Sequence, residues 1–290
     1  MPTTFLLLML AVLLLWFGGN STASFVRRYA WFGMWSASLV VAITTKVLDP
    51  VGLVAVLVFG GATYAFAHAH RRWQIALAAV ILVALAVGFM LHRVPGFHNP
   101  RVIDAARFTP DARPFTLYLN YDKTLIGLFL LGFCCTRIAR WTDSKKMLPT
   151  TLPWAAVTIG LLMGISLAIG YVRFAPKLPP ETWLWAAVNL LFVCTAEEAF
   201  FRGFIQAQLQ YLWSGIRGGS FIALLVAAAL FGLAHFPGGW AYVGLASVAG
   251  LGYGWIYQRT QRIEASILSH FALNTVHFLL FTYPALAVAN

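Results

Sequence analysis

The chain has 290 residues, of which 60% are hydrophobic and only 10% are charged, and its mean hydropathy is +0.78. Soluble domains carry about 25% charged residues, so this composition excludes a water-soluble globular protein and indicates a chain whose main solvent is lipid. The net charge of +11 does not indicate nucleic-acid binding, because the Lys and Arg residues are clustered at the ends of apolar runs rather than on one face.

Apolar runs of membrane-crossing length recur along the whole chain. Backbone groups in lipid must be hydrogen-bonded internally, so such runs form helices or the strands of a closed barrel. The runs lack the period-two alternation of barrel strands. The predicted fold class is therefore all-α, a polytopic bundle of about ten transmembrane helices. The predicted spans are residues 4–19, 29–45, 51–69, 73–91, 124–140, 153–173, 182–204, 219–236, 240–258 and 265–283.

One sizeable polar segment separates the fourth and fifth predicted spans, at about residues 92–123. It is rich in Pro, Asn and Asp, including Pro100 and Pro110, so we expect irregular structure with turns. We divide the chain into an N-terminal transmembrane region, residues 1–148, which contains this loop, and a C-terminal transmembrane domain, residues 149–290.

Three charged residues differ from every other Asp, Glu, Lys and Arg, because they lie inside a predicted span rather than at its end. They are Glu197, Glu198 and Arg202. A charge at the bilayer centre costs about 2.5–3.5 kcal/mol on insertion scales, and such residues are functional candidates by default. Glu198 and Arg202 are four residues apart and can form an ion pair on one helix face. Glu197 lies about 100° around the helix and can face a different partner.

Further polar residues lie in two later spans. The eighth span ends with His235, and the tenth contains His270 and Asn274, which are four residues apart and share a helix face. His277 lies about 10 Å further along that helix, and we interpret it as structural. Each histidine alone is better explained by packing, but together with a buried pair of Glu residues these side chains form a candidate site.

At these positions the sequence resembles the CAAX-prenyl-protease and bacteriocin-processing family of intramembrane peptidases, also called the CPBP or Abi family. The family signature is Glu-Glu-x-x-x-Arg, then Phe-x-x-x-His, then His-x-x-x-Asn or Asp, each on its own helix. Each motif alone is weak, whereas the ordered set inside apolar spans is specific. The resemblance covers about residues 182–280 and is carried by Glu197-Glu198-x-x-x-Arg202, Phe231-x-x-x-His235 and His270-x-x-x-Asn274.

The resemblance implies an intramembrane endopeptidase with its catalytic helices in the C-terminal half of the chain, and we expect it to be of the glutamic type. It implies that Glu197 is the general base that activates a water and that His235 helps to hold this water. His270 and Asn274 would stabilise the oxyanion, and the remaining two residues would orient the others. The implied catalytic set is Glu197, Glu198, Arg202, His235, His270 and Asn274.

Two alternatives remain open at this point. Glu197, His235 and His270 can in principle bind zinc with an open fourth position. The His-Glu-x-x-His helix of common zinc proteases does not occur in the sequence, so we predict no cofactor and keep zinc as the alternative. In the second alternative the protein is not an enzyme but a transporter or scaffold, in which the buried charges form a relay.

The catalytic interpretation also makes a demand on the fold. With spans of full length, His235 falls near the opposite membrane surface from Glu197 and His270. These side chains can meet only if the eighth and ninth spans form a hairpin that does not reach the far surface. The uncharged segment Pro237-Gly238-Gly239 is suited to that turn, because irregular backbone is tolerated at depth where it lines a cavity.

The expected partners follow from the same interpretation. They are the lipid bilayer and a membrane-bound protein or peptide substrate, with or without a lipid attached, and no nucleic acid. The expected location is a cell membrane, the inner membrane of a bacterium, which the chain crosses several times.

Overall fold

The computed structural model describes residues 1–18, 25–138 and 141–287, apart from the side chains of residues 25–28 and 141. These ranges are mainly helical and contain one small antiparallel sheet. The helices are α1 (Thr3–Phe17), α2 (Phe25–Thr44), α3 (Pro50–His68), α4 (Arg72–Met90), α5 (Tyr121–Phe133), α6 (Trp141–Ala168), α7 (Thr182–Leu212), α8 (Gly219–Ala234), α9 (Trp240–Thr260) and α10 (Ile263–Leu280). The strands are β1 (Arg101–Ala106) and β2 (Phe115–Tyr118).

The helices form a bundle of the kind expected for a membrane protein. In the described part of the chain, five helices are long and apolar enough to cross a membrane, namely α3, α4, α6, α7 and α10. Shorter apolar helical segments are α1, α8 and the part of α2 from Tyr29 to Thr44. Each predicted span overlaps one helix. The chain is therefore a polytopic helical membrane protein, as predicted, while the number of helices that cross the membrane stays a prediction.

Two predicted span boundaries are wrong. The fifth helix ends at Phe133 instead of near residue 140, and the sixth begins at Trp141 instead of near residue 153. The start of α6 is too polar to be detected as an apolar run. In addition, Pro149 and Pro153 lie inside this helix, where a proline normally indicates a helix end or a kink.

The polar segment between α4 and α5 is more ordered than predicted. Part of it forms the β1–β2 hairpin, in which Arg101 pairs with Tyr118 and Ala106 with Phe115, with irregular register between them. The strands contain short apolar runs that favour extended structure, and Ile103 is buried. The prediction of an irregular connector was wrong for these residues, because turn residues dominate the composition and hide two short strands.

Helix α5 lies against the middle of α7. Most of its side chains are buried, and a Cβ atom at Gly127 would lie 3.0 Å from the Cα of Ala196. The two backbones can therefore approach closely beside Glu197 only because residue 127 is a glycine. A helix of the N-terminal region consequently packs against the most charged part of the C-terminal domain. The division of the chain into two regions stays a prediction.

Helices α8 and α9 form the hairpin that the sequence suggested. Helix α8 ends at Ala234, a single 3₁₀ turn follows at Phe236–Gly238, and α9 begins at Trp240. His235 is the residue between helix α8 and this turn. The hairpin brings it to 4.0 Å from the carboxylate of Glu197.

The close contact between α8 and α9 depends on Gly232. A Cβ atom at this position would overlap the Ser247 hydroxyl and lie 2.8 Å from the Val243 backbone oxygen. Overpacking a tight contact destabilises a protein by about 1–3 kcal/mol. We expect Gly232→Ala to lower the free energy of unfolding by that amount, as measured by denaturation of the purified protein in detergent micelles.

The matched control is Gly244→Ala on α9, where an added Cβ atom meets nothing within 4 Å. This variant should be as stable as the wild type or slightly more stable, since alanine favours a helix more than glycine does. Equal stability of the two variants would show that the α8–α9 contact does not require a glycine.

Candidate active site

The two glutamates lie on one α-helical turn of α7, between two stretches of π-helix. Thr195–Glu198 forms the α turn, and Asn189–Cys194 and Ala199–Gln206 are π-helical. The first wide turn is closed at Thr195, whose backbone N–H and side-chain hydroxyl both donate to the backbone oxygen of Leu190. π-Helical turns are rare in proteins, and many of those that occur are at functional sites.

The predicted ion pair between Glu198 and Arg202 is present and fully buried. Nη1 of Arg202 donates to Oε1 of Glu198 at 2.9 Å, and both side chains have 0% exposure. Nη2 of Arg202 donates to the backbone oxygen of Gly250 at 3.1 Å. The guanidinium also lies over the rings of Phe231 and Tyr253, at 4.3 and 5.3 Å from their centroids, which favours a cation.

His270 on α10 is oriented by this ion pair. Its Nδ1 lies 2.8 Å from Oε1 of Glu198, and its ring stacks on Tyr253 with centroids 4.6 Å apart. The opposite ring nitrogen, Nε2, then points toward the second glutamate and lies 4.0 Å from Oε2 of Glu197.

His235 approaches the same carboxylate from the α8–α9 hairpin. Its Nδ1 donates to the backbone oxygen of Phe231 at 2.7 Å, and a carbonyl oxygen can only accept. The proton of a neutral ring is therefore on Nδ1, and Nε2 presents a lone pair. This Nε2 atom lies 4.0 Å from Oε2 of Glu197.

Oε2 of Glu197 is buried and accepts no hydrogen bond from any residue in the described ranges. It faces the Nε2 atoms of His235 and His270 at 4.0 Å each. A water oxygen about 2.8 Å from Oε2 and about 2.8 Å from one Nε2 atom bridges such a gap, with an angle of about 90° at the water. The three atoms thus surround a place where a water can bind against a carboxylate.

A cavity of about 430 Å³ opens onto this carboxylate. Asn274 lines it, and its Nδ2 donates to Oδ1 of Asn189 at 3.2 Å and, more weakly, to Sγ of Cys194 at 3.7 Å. His277 also lines the cavity, and its Nε2 lies 3.2 Å from the backbone oxygen of Thr282. Side chains of the β1–β2 hairpin and of both chain halves form the wall, including Phe115, Leu117, Lys123, Trp185, Glu197, His235, His270 and Tyr283.

The structure thus brings five predicted site residues into one contact network and puts Asn274 on the wall of the same cavity. Residues 179–276 match the model of a family described as type II CAAX prenyl endopeptidase, Rce1-like. This segment is an Rce1-like domain. The matched segment is about a third of the chain and includes all six predicted site residues. No curated protein matches the chain, and no solved structure does either.

The matched family is one of endopeptidases, so the match indicates a protease domain in a multi-pass membrane protein. The family match covers α7, α8 and α9 and most of α10. It does not include α5 or the β1–β2 hairpin, although both contribute side chains to the cavity.

Lys123 is a site residue that the sequence did not reveal. Its Nζ donates to Oε1 of Glu197 at 2.6 Å, and the two side chains are 16% and 8% exposed. Lys123 stands at the junction of a polar loop and an apolar helix, where a lysine normally marks a membrane boundary. No spacing rule connects it with residues 74 positions later, so only the packing of α5 on α7 identifies it.

The donor atoms around Glu197 Oε2 are spaced more widely than the ligands of a tetrahedral zinc ion. Zinc ligands lie about 2.0–2.2 Å from the metal, which separates tetrahedral donors by about 3.3 Å. The separations of 4.0 Å around Glu197 Oε2 are longer, and the Lys123 ammonium occupies the other oxygen. Among the described residues, no three His, Cys, Asp or Glu side chains form a group that could hold a metal.

Proposed function

We propose that this chain is an intramembrane endopeptidase that hydrolyses peptide bonds of membrane-associated polypeptides with a water activated by Glu197. The observation that carries the proposal is the buried, unpaired Oε2 atom of Glu197 between two imidazole Nε2 atoms, at the wall of a cavity. A carboxylate held against a water is suited to take a proton from it as the oxygen attacks a carbonyl carbon.

His235 holds the attacking water together with Glu197. Because its Nδ1–H is committed to the backbone oxygen of Phe231, its Nε2 accepts one hydrogen of the water while Oε2 of Glu197 accepts the other. The lone pairs of the water oxygen then face the cavity, where the substrate carbonyl would lie. In the attack, the hydrogen directed at Glu197 moves to the carboxylate.

His270 and Asn274 stabilise the oxyanion that forms. Asn274 donates one N–H to Asn189 and the other only to the weak acceptor Sγ of Cys194, at 3.7 Å, which an oxyanion can replace. His270 can donate from Nε2 when its ring is an imidazolium, and Glu198 at 2.8 Å from Nδ1 supplies the matching negative charge. Donors fixed in advance at the place where charge develops lower the barrier substantially. Arg202 completes the arrangement by holding Glu198.

The proposed mechanism uses no metal, with zinc as the alternative. The spacing of the Glu197, His235 and His270 donors suits a water better than a tetrahedral zinc. We expect that EDTA and 1,10-phenanthroline leave the cleavage rate unchanged within about twofold and that added Zn²⁺ does not raise it. Loss of cleavage on chelation, restored by Zn²⁺ and matched by bound metal in the purified protein, would replace this mechanism with metal-assisted hydrolysis.

The activity is tested by cleavage of peptides tethered to liposomes that contain the purified protein. Each peptide is offered with and without an isoprenyl group on a cysteine near its C-terminus, and products are identified by mass spectrometry. We expect cleavage of at least one tethered sequence. A comparison of its cleavage rates with and without the isoprenyl group shows whether the protein recognises the lipid. A protein that cleaves none of them but moves protons across the liposome membrane would instead be the transporter of the second alternative.

A further inference from the structure

Lys123 lies outside the Rce1-like segment and outside every motif of the signature. It nevertheless makes the shortest contact of the proposed general base, with Nζ at 2.6 Å from Oε1 of Glu197. Lys123 also lines the cavity that contains Glu197, His270 and Asn274. Its ammonium is therefore next to the place where the scissile bond would lie.

A local network fixes the start of α5 and with it the position of Lys123. Asp122 is buried with 1% exposure, and its Oδ2 lies 2.7 Å from Nδ1 of His92. Its Oδ1 accepts from Nδ2 of Asn99 at 2.9 Å and from the backbone N–H of Lys123 at 2.9 Å. Asn99 in turn accepts from the backbone N–H of Tyr121 at 2.8 Å. The lysine is thus placed by ordered backbone rather than by a mobile loop.

Amide hydrolysis needs an acid as well as a base, because the leaving nitrogen must gain a proton as the C–N bond breaks. Nε2 of His235 carries a lone pair and cannot supply this proton. Arg202 does not release protons near neutral pH, and it forms an ion pair with Glu198. The ammonium of Lys123 can release a proton. It contacts Oε1 of Glu197, whereas the proposed water binds at Oε2 of the same carboxylate.

We propose that Lys123 is a catalytic residue, the general acid that protonates the leaving amine. This proposal rests on the function proposed above. One water hydrogen moves to Glu197 as the water oxygen bonds to the carbonyl carbon. When the C–N bond breaks, its electron pair stays on nitrogen, which takes a proton from Nζ of Lys123. The carboxylic acid of Glu197 then returns its proton to the neutral amine of Lys123. The products are a carboxylic acid and an amine, and both side chains recover their charges.

The test compares an amide with an ester at the scissile bond. Two tethered peptides differ only in that the leaving nitrogen of one is replaced by oxygen, because an alkoxide leaves with less help from an acid than an amine does. The variants are Lys123→Met, which removes the charge, and Lys123→Arg, which keeps the charge but does not release a proton near neutral pH. Lys145→Met, at an exposed position, is the control.

We expect Lys123→Met and Lys123→Arg to lower kcat for the amide by about 10²-fold or more and kcat for the ester by less than about tenfold, with KM nearly unchanged. Lys145→Met should behave as the wild type on both. Equal losses on amide and ester, or amide activity restored by arginine, would overturn the proposal in favour of a role in charge or packing. An active Glu197→Gln variant would instead refute the proposed function itself, because that carboxylate serves both substrates.

Discussion

Replacing Glu197 by glutamine is expected to abolish cleavage of both amide and ester substrates, with a loss in kcat of about 10²–10⁴-fold or more. Glutamine has nearly the same shape, so the α turn between the π-helical stretches and the wall of the cavity are preserved. It cannot accept a proton from the water, however. Substrate binding should change little, because Glu197 contributes to the reaction rather than to the apolar wall. Initial rates of product formation in liposomes measure the effect.

Glu181→Gln is the matched control, because it makes the same chemical change directly before α7 and outside the cavity. It should retain wild-type rates. The Glu197→Gln protein must also be checked for folding, since the substitution leaves the ammonium of Lys123 without its carboxylate partner. A folded Glu197→Gln protein that still cleaves would exclude Glu197 as the general base.

The sequence predicted the parts of this protein whose signal is local. Apolar runs located the helices, because lipid requires long uninterrupted apolar surfaces. Glu197, Glu198 and Arg202 were found because charges inside such runs are costly. The pairing of Glu198 with Arg202 followed from helical spacing alone and is present at 2.9 Å.

Contacts between distant segments could not be predicted in the same way. Lys123 is part of the site only because α5 packs against α7 at Gly127, and a lysine beside a polar loop resembles any other membrane-boundary lysine. The wide turns on either side of the glutamates are also invisible in an apolar helical pattern. The β1–β2 hairpin was missed because prolines and polar residues surround two short strands. Tertiary packing rather than local preference decides each of these features.

Replacing Arg202 by methionine is expected to give the largest loss of stability. Removing one partner of a buried ion pair leaves the other charge without compensation and typically costs about 3–5 kcal/mol. Among the described residues, Glu198 would keep His270 alone as a partner, and the backbone oxygen of Gly250 would lose the Arg202 donor. We expect the free energy of unfolding in detergent micelles to fall by that amount and cleavage to fall with it, because Glu198 would no longer hold His270 in one orientation.

The double variant Arg202→Met with Glu198→Gln separates the charge effect from packing. Replacing both members of a buried pair is often close to neutral for stability, so the double variant should recover most of the stability lost in Arg202→Met while its cleavage stays low. Arg217→Met, at an exposed position in the loop between α7 and α8, controls for loss of a cation and should be stable and active. If the double variant is as unstable as Arg202→Met, the packing of the guanidinium against Phe231 and Tyr253, rather than its charge, stabilises this part of the bundle.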